Sequence, residues 1–326
     1  MEIGGIKEYL AEWLGRVQDC VNTSLKSDIA LLNATNRSLQ EHSGKMLRPM
    51  LALLCGGACG KLNEDTVRFA ASAELMHNAT LLHDDVVDHS GERRGHPTVF
   101  SMLGGSPAVL IGDYWLVRCM QTILSAAHDS ERVLRVFSGT LSDLAEGELL
   151  QMEKASSCDT TREDYLRIIY NKTGSLFETA AVSAAISVHA SDQARTAVGS
   201  YARNLGIAFQ IKDDILDYEA DEATVGKPVG IDLMEQKITQ PLLCALENVP
   251  VARAEEIRRK VALISDSPSQ AEEVRSFVLE QGGIDLAKKV LEEFVNKAIA
   301  CLEPLPDTLE KGFLADLARY VGLRSN

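Results

Sequence analysis

The chain has 326 residues, 45% of them hydrophobic and 25% charged, with 23 glycines and 9 prolines, a globular composition that can bury a core unaided. Its formal net charge of −14 excludes a nucleic-acid partner held by a basic surface, so any anionic ligand must be gripped by local cations or metal bridges. The 7 cysteines are scattered and form no CxxC pair, as expected of buried thiols in a reducing, cytoplasmic setting.

In chain order, the N-terminal stretch MEIGGIKEYLAEWLG has early acids and no long apolar run, unlike a signal peptide. From Asn63 to His89 the residues Val67, Ala70, Ala71, Leu75, Ala79, Leu82 and Val86 recur at three- and four-residue spacing, the period of one helix face. The longest uncharged stretch, Gly95 to Gly112, is broken by Pro97, Gly104, Gly105 and Pro107, so no membrane span is expected. Similar periods predict helices over Ser106 to His128, Glu131 to Glu153, Thr173 to His189 and Asp192 to Tyr218. They continue over Ile231 to Glu247, Ala252 to Ile264, Ser269 to Gln281 and Ile284 to Leu302. Ser90-Gly91, Asp221 to Gly230, Ser265 to Pro268 and Pro304 to Pro306 punctuate the series. No run of alternating β-branched residues occurs, so a sheet is not expected. The linkers are short, which predicts a single all-α domain over residues 1–326.

One motif occurs twice. LLHDDVVD (Leu81 to Asp88) and IKDDILD (Ile211 to Asp217) each end an apolar helical pattern with D-D-x-x-D. Helical residues four apart point within about 40° of each other, roughly 6 Å apart along the axis. Asp84 therefore shares a face with Asp88, and Asp213 with Asp217, while Asp85 and Asp214 sit about 100° round. Like charges so placed destabilise a helix unless a cation lies among them. Carboxylates without His or Cys suit Mg²⁺, which completes its shell with water and phosphate. A single such cluster reads as a solvated helix end; two copies embedded in apolar sequence point to metal sites.

Basic residues accompany both clusters. Lys45 and Arg48 stand at i,i+3 where a helix begins, Arg93 and Arg94 follow the first cluster, Lys172 precedes a helix, and Lys227 lies in the loop after the second cluster. Arg forks and Lys point charges are natural partners of phosphate oxygens, so the combination reads as diphosphate handling.

The motifs GKMLRP, ELMHNATLLHDDVVD, RRGHPT, GDYWL, EGELLQM, KTGSLF, AFQIKDDILD, GKPVGIDL and KIT follow one another from about Lys45 to Lys237. This series resembles the trans-isoprenyl diphosphate synthases, and within them the bacterial long-chain enzymes of octaprenyl or solanesyl type. The resemblance implies a large helical bundle around a central cavity and a cytoplasmic, homodimeric transferase that uses about three Mg²⁺ per site, with Mn²⁺ able to substitute. Such an enzyme condenses an allylic diphosphate with isopentenyl diphosphate repeatedly and works near a membrane surface for product release. By resemblance, Asp84, Asp85 and Asp88 hold magnesium on the allylic diphosphate, and Asp213, with Asp214 and Asp217, holds another ion. Arg93, Lys172, Lys227 and Lys237 contact the same diphosphate. Lys45, Arg48, His77 and Arg94 bind isopentenyl diphosphate, and the oxygens of Thr173 and Gln210 face the developing cation. His77 taken alone would read as an ordinary core histidine; its place in the motif reverses that. Ser43, Met46 and Gln236 depart from the family pattern but keep the neighbouring cations.

Two other classes share parts of this pattern. A terpene cyclase cages its cation with aromatic rings, whereas this chain has only 8 Phe, 7 Tyr and 2 Trp. A noncatalytic subunit would not need both acidic clusters. Product length is read from the residues before Asp84. Short-chain relatives carry an aromatic there; this chain has Ala79 and Thr80, with Met76 the bulky side chain below them and Ala73 and Ser72 deeper. That leaves a corridor of about 18 Å along twelve helical residues, which predicts a product of about C40–C50 for a quinone tail, with C15–C20 as the alternative. The charge-poor pattern from Ala108 to Leu124 is the candidate dimer helix.

Overall fold

The apolar period of the sequence is realised as helix along nearly all of the chain. The computed structural model describes residues 3–41, 44–219 and 230–324. Its helices are α1 (Ile3–Tyr9), α2 (Ala11–Ser24), α3 (Ala30–Glu41), α4 (Leu47–Cys59), α5 (Glu64–Val87), α6 (Val99–Leu103), α7 (Gly105–Leu124), α8 (Ser130–Ser157) and α9 (Arg162–Ile169). They continue as α10 (Ser175–Ser187), α11 (Asp192–Glu219), α12 (Ile231–Met234), α13 (Gln240–Glu247), α14 (Val251–Ala262), α15 (Ser269–Glu280), α16 (Gly283–Cys301) and α17 (Leu309–Leu323). Among the described residues the only strands are β1 (Glu92–Arg93) and β2 (His96–Pro97). The class is all-α, as expected. Close contacts gather into two compact units. The first holds Met1–Gly139, Leu176–Gly199 and Pro304–Leu314; the second holds Thr140–Ser175, Ser200–Glu303 and Ala315–Asn326.

Helix α5 is the spine of the first unit and packs against α7, α4 and α2. Asn63 starts it: the side-chain oxygen accepts from the backbone N–H groups of Asp65 and Thr66 at 2.9 and 3.0 Å. Thr66 completes a reciprocal cap by accepting the Asn63 N–H at 3.2 Å. Asn63 Nδ2 also donates to the Ser187 carbonyl at 2.7 Å, which ties this start to the end of α10. Val67, Phe69, Ala70, Ala71, Leu75 and Leu82 are buried, and each large one contributes about 1.5–3 kcal/mol by leaving water.

Small residues let α5 and α7 approach closely. The Cys119 thiol donates to the Ser72 carbonyl at 3.3 Å, and a Cβ added at Gly112 would lie 2.3 Å from His83 Nε2. Ser72, Met76, Ala79 and His83, at four-three-four spacing, thus turn toward α7. Ala73, Thr80 and Asp84 lie on a different stripe, about 100° round at Thr80 from Ala79. The positions expected to line one corridor face are therefore split between two faces of the helix.

After α5 the chain makes a two-residue turn at Arg94 (φ 54°) and Gly95 (φ 80°), the left-handed pair that joins β1 to β2. Strands of two residues are too short to show an alternating period, so this hairpin departs from the sheet-free expectation.

In the second unit, Gly147 of α8 admits the segment before α10. A Cβ there would lie 2.6 Å from Asn171 Cβ and 3.1 Å from the Lys172 backbone nitrogen. Where Thr173 to His189 reads as one helix, the chain instead makes a wide π-helical turn over Tyr170–Gly174. Such turns gather at functional sites because they re-aim side chains. The predicted helix from Ile231 to Glu247 also divides. Gln236 takes a left-handed φ of 58°, and Pro241 sits in the first turn of α13, where its missing N–H is not needed. No described helix is long and apolar enough to cross a membrane.

Candidate active site

In the first unit the approach to α4, the middle of α5 and the hairpin converge. Met46, at φ 53°, breaks into α4 so that Lys45 stays exposed before it and Arg48 falls in its first turn. The Arg48 guanidinium lies over the Phe177 ring, 4.9 Å from its centroid. The Arg94 guanidinium rests on Gly44, where a Cβ would come within 2.6 Å of its nitrogens. His77 lies among these cations. Burial first, then Arg48, Arg94 and Arg93, hold its imidazole well below its usual pKa, so it is neutral. Glu74, one turn earlier, is pushed up by burial and pulled back by Arg48 and Arg94. Arg48, His77 and Arg94 are thus brought together as expected. Guanidinium charge outweighs carboxylate here, which makes a seat for an anion that needs no metal.

The first carboxylates stand at the end of the same helix. Asp84 and Asp85 occupy its last turn and Asp88 follows it. Asp85 is buried and accepts from Arg93 Nε at 2.8 Å; burial raises its pKa and Arg93 opposes the rise. Arg93, expected on the allylic diphosphate, is a partner of Asp85 in this state. A cavity of about 130 Å³ lies beside the pair, lined in part by Asn78, Leu82, Asp85, Arg93 and Arg94.

In the second unit α11 carries Gln210 and the other aspartates. Thr173 Oγ1 donates to Gln210 Oε1 at 2.9 Å, Gln210 Nε2 donates to Asp214 Oδ1 at 3.0 Å, and the Tyr165 hydroxyl donates to Asp214 Oδ2 at 2.6 Å. Asp214 is 2% exposed with both oxygens engaged. Burial raises its pKa, against the pull of Tyr165 and Gln210. Expected as a metal ligand, it instead anchors Gln210, because its place off the Asp213–Asp217 stripe turns it into the core. Asp217 accepts the N–H groups of Ile231 and Asp232, both at 3.2 Å, and so caps α12. Asp213 Oδ1 takes Arg324 at 2.5 Å. Lys172, in the π-turn, pairs with Glu148 at 2.5 Å, and Lys237 pairs with Glu235. A cavity of about 140 Å³ is bordered by Tyr165, Lys172, Gln210, Asp214, Asp232 and Lys237. Lys227 lies outside the described residues.

Four residues of these networks take no site role from the sequence: Glu148 and Asp232, although they stand within EGELLQM and GKPVGIDL, Tyr165, and Arg324 near the C-terminal end. Asp232 is half-buried with its pKa well raised, by desolvation and then by Asp214 and Asp217. It stands within GKPVGIDL, a motif in which only the lysine draws attention. Tyr165 sits two turns before Lys172, on a helix whose apolar face explains it as core.

The model of the polyprenyl synthetase family matches residues 29–280. The chain belongs to that family. It is 38% identical over 311 residues to the all-trans-nonaprenyl-diphosphate synthase (geranyl-diphosphate specific) of Rhodobacter capsulatus, covering 95% of this chain and 94% of the relative. It is 38% identical to the octaprenyl diphosphate synthase of Escherichia coli, covering 98% of each. The crystal structure of a polyprenyl synthase from Caulobacter crescentus, complexed with calcium and isoprenyl diphosphate, superposes with a TM-score of 0.91 at 30% identity, over 100% of this chain and 98% of the other.

A family member of this kind implies a divalent metal. Among the described residues no three His, Cys, Asp or Glu side chains converge to hold one unaided. The candidate donors of each unit are carboxylate oxygens, Asp84 and Asp88 in the first and Asp213, its side chain 40% exposed, in the second. Such a set leaves most of the coordination shell to water and phosphate, which is how Mg²⁺ binds. The residues fit a hard cation shared with a diphosphate.

Neutral His77 has a pH signature. Its folded pKa lies below the unfolded value of about 6.5, so beneath that pH the unfolded chain takes a proton that the folded chain refuses. Stability therefore falls as pH falls through this window. His77→Asn should flatten the decline of the urea midpoint between about pH 6.5 and 5, relative to the parent. An unchanged decline in the folded variant would show that the imidazole is not held neutral.

Proposed function

We propose that the chain is a trans-prenyltransferase that condenses an allylic diphosphate with isopentenyl diphosphate, repeatedly, to build a long polyprenyl diphosphate. One observation carries this reading: a single unit holds both carboxylates for a metal, at Asp84, Asp85 and Asp88, and a guanidinium pocket at Arg48, His77 and Arg94. Two diphosphate substrates need two such seats; a one-substrate enzyme needs only the first. Similarity to nonaprenyl and octaprenyl diphosphate synthases supports a long product. We also propose that 1–326 acts as one catalytic domain, since relatives of nearly the same length match it along 98% of the chain.

The reaction begins with breakage of the allylic C1–O bond, which develops charge on the diphosphate leaving group. Mg²⁺ held by Asp84 and Asp88 near Asp85, and another ion held by Asp213 near Asp217, would supply Lewis-acid neutralisation of that charge, and Mn²⁺ could replace it. Arg93, Lys172, Lys227 and Lys237 neutralise the same group by direct contact. Arg48, Arg94 and Lys45, with neutral His77, hold isopentenyl diphosphate so that its double bond can reach C1. The oxygens of Thr173 and Gln210, fixed by Asp214 and Tyr165, face the cation. The π electrons form the new C–C bond to C1, and the proton lost from C2 passes to the released diphosphate. No histidine base is required.

Incubation with farnesyl diphosphate and isopentenyl diphosphate tests the activity. EDTA should abolish it and Mg²⁺ restore it. Asp84→Ala and Asp213→Ala should each lower turnover about 10³-fold, on the order of 4 kcal/mol of transition-state stabilisation. Turnover in a metal-free assay would refute the proposal.

We propose that the growing chain passes down α5 from Asp84, past Thr80, with Ala79 and Met76 on the neighbouring stripe. Thr80→Tyr puts a ring one turn below Asp84 without entering the α7 seam, and should shorten the product from about C40–C50 to C15–C20 while keeping the first condensation. Ala79→Tyr should do the same but also cost about 1–3 kcal/mol, because Ala79 is fully buried beside α7. An unaltered product from an active Thr80→Tyr variant would show that the chain takes another route.

We also propose a homodimer. Leu103, Leu110, Val117 and Leu124 are all exposed and repeat every seven residues along α6 and α7, an apolar stripe suited to a second copy. Light scattering at micromolar concentration should report twice the chain mass, and Val117→Lys should shift it toward one. A monomeric parent would remove this proposal.

A further inference from the structure

The C-terminal end of α17 makes a contact that the reaction scheme does not use. Arg324 continues the helix, its N–H donating to the Tyr320 carbonyl at 2.9 Å. While Leu323 beside it points outward, 84% exposed, the Arg324 side chain is tucked in and only 9% exposed. Its guanidinium lies over the Phe209 ring, with Cζ 3.9 Å from the ring centroid, and Nη2 donates to the Phe209 carbonyl at 3.1 Å. The same nitrogen donates to Asp213 Oδ1 at 2.5 Å. Phe209 and Asp213 are four residues apart on α11, so ring, carbonyl and carboxylate present one surface to a planar, forked cation.

We infer that Arg324 is a positioning residue that holds the Asp213 carboxylate in its ligating orientation through a clamp on Phe209. This rests on the reading that Asp213 takes a divalent cation with diphosphate. A carboxylate that is 40% exposed on its side chain has rotamers to choose among, and each loss of freedom must otherwise be met when the ion arrives. Arg324 engages one oxygen, Oδ1, and is itself fixed by contacts that do not involve the aspartate. The carboxylate is therefore oriented before a ligand comes, and part of the charge of a region that also holds Asp214, Asp217 and Asp232 is offset. A lysine is a poor substitute, since an ammonium has no planar face to lay over the Phe209 ring while its donor reaches carbonyl and carboxylate.

The full-length chain can be tested as Arg324→Ala and Arg324→Lys, with Asp213→Ala as reference. The probe is Mn²⁺ in the presence of inorganic diphosphate, with bound metal read by electron paramagnetic resonance and independent of turnover. Both Arg324 variants should bind Mn²⁺ about tenfold more weakly and need correspondingly more Mg²⁺ for half-maximal rate, with the KM for isopentenyl diphosphate within about twofold. Millimolar methylguanidine should recover part of the Mn²⁺ affinity of Arg324→Ala, which a loss of helix packing alone would not allow. If Arg324→Ala does not fold, Phe209→Leu keeps the arginine and removes the ring that holds it, and should weaken Mn²⁺ binding about threefold. Unchanged or tighter Mn²⁺ binding in the folded Arg324 variant, or in Phe209→Leu where that is used, overturns the inference. Wild-type Mn²⁺ binding by Asp213→Ala overturns instead the metal reading of that cluster, and the role of Arg324 with it.

Discussion

The regular rise of one long helix is the constraint on which the rest of the first unit depends. His77 and Asp84 are seven residues apart on α5, two turns, so they lie about 10 Å apart along the axis and within about 20° in direction. The guanidinium pocket and the first carboxylates are thereby held two helical turns apart. Everything that stiffens α5 protects this spacing: the reciprocal cap at Asn63 and Thr66, the tie to Ser187, and the small-residue seam with α7. A frayed or bent α5 would disturb both seats together.

Charge is handled locally, against the overall sign of the chain. A net charge of −14 would repel diphosphates at long range. Near the sites, however, some acids are paired, as Asp85 is with Arg93 and Asp213 with Arg324, and others have pKa values raised by desolvation, as Glu74, Asp214 and Asp232 do. Guanidinium groups at Arg48 and Arg94 are left to dominate around a neutral His77. The aspartates therefore divide into two roles. Those with buried, engaged oxygens hold the scaffold, and those nearer solvent, such as Asp213, keep an accessible side chain.

The second unit shows how far the placement of one polar side chain depends on groups behind it. Thr173 is aimed by Gln210, Gln210 by Asp214, and Asp214 by Tyr165, one unbroken run of hydrogen bonds from a wide π-turn to the core. The Gly147 side of α8 is what lets that turn sit so close. Each bond alone contributes modestly, about 1 kcal/mol, yet a break leaves a buried polar group unsatisfied.

The sequence alone determined the helical class, most of the long helices between Asn63 and Leu302, and the residues of both acidic clusters and their basic companions. These follow from a local period and from short motifs, which are properties of neighbouring residues. It also placed Arg48, His77 and Arg94 on one ligand, but only by resemblance, since they come from three separated stretches. What tertiary structure decided was which oxygen faces what. Asp213 and Asp214 are adjacent and chemically identical in sequence; a 100° turn of the helix puts one near solvent beside Arg324 and seals the other against Tyr165. The same turn separates Ala79 from Thr80 on α5. Tyr165, Glu148 and Arg324 gain their meaning only from partners many residues away, and no local pattern can encode a contact that chain folding alone brings about.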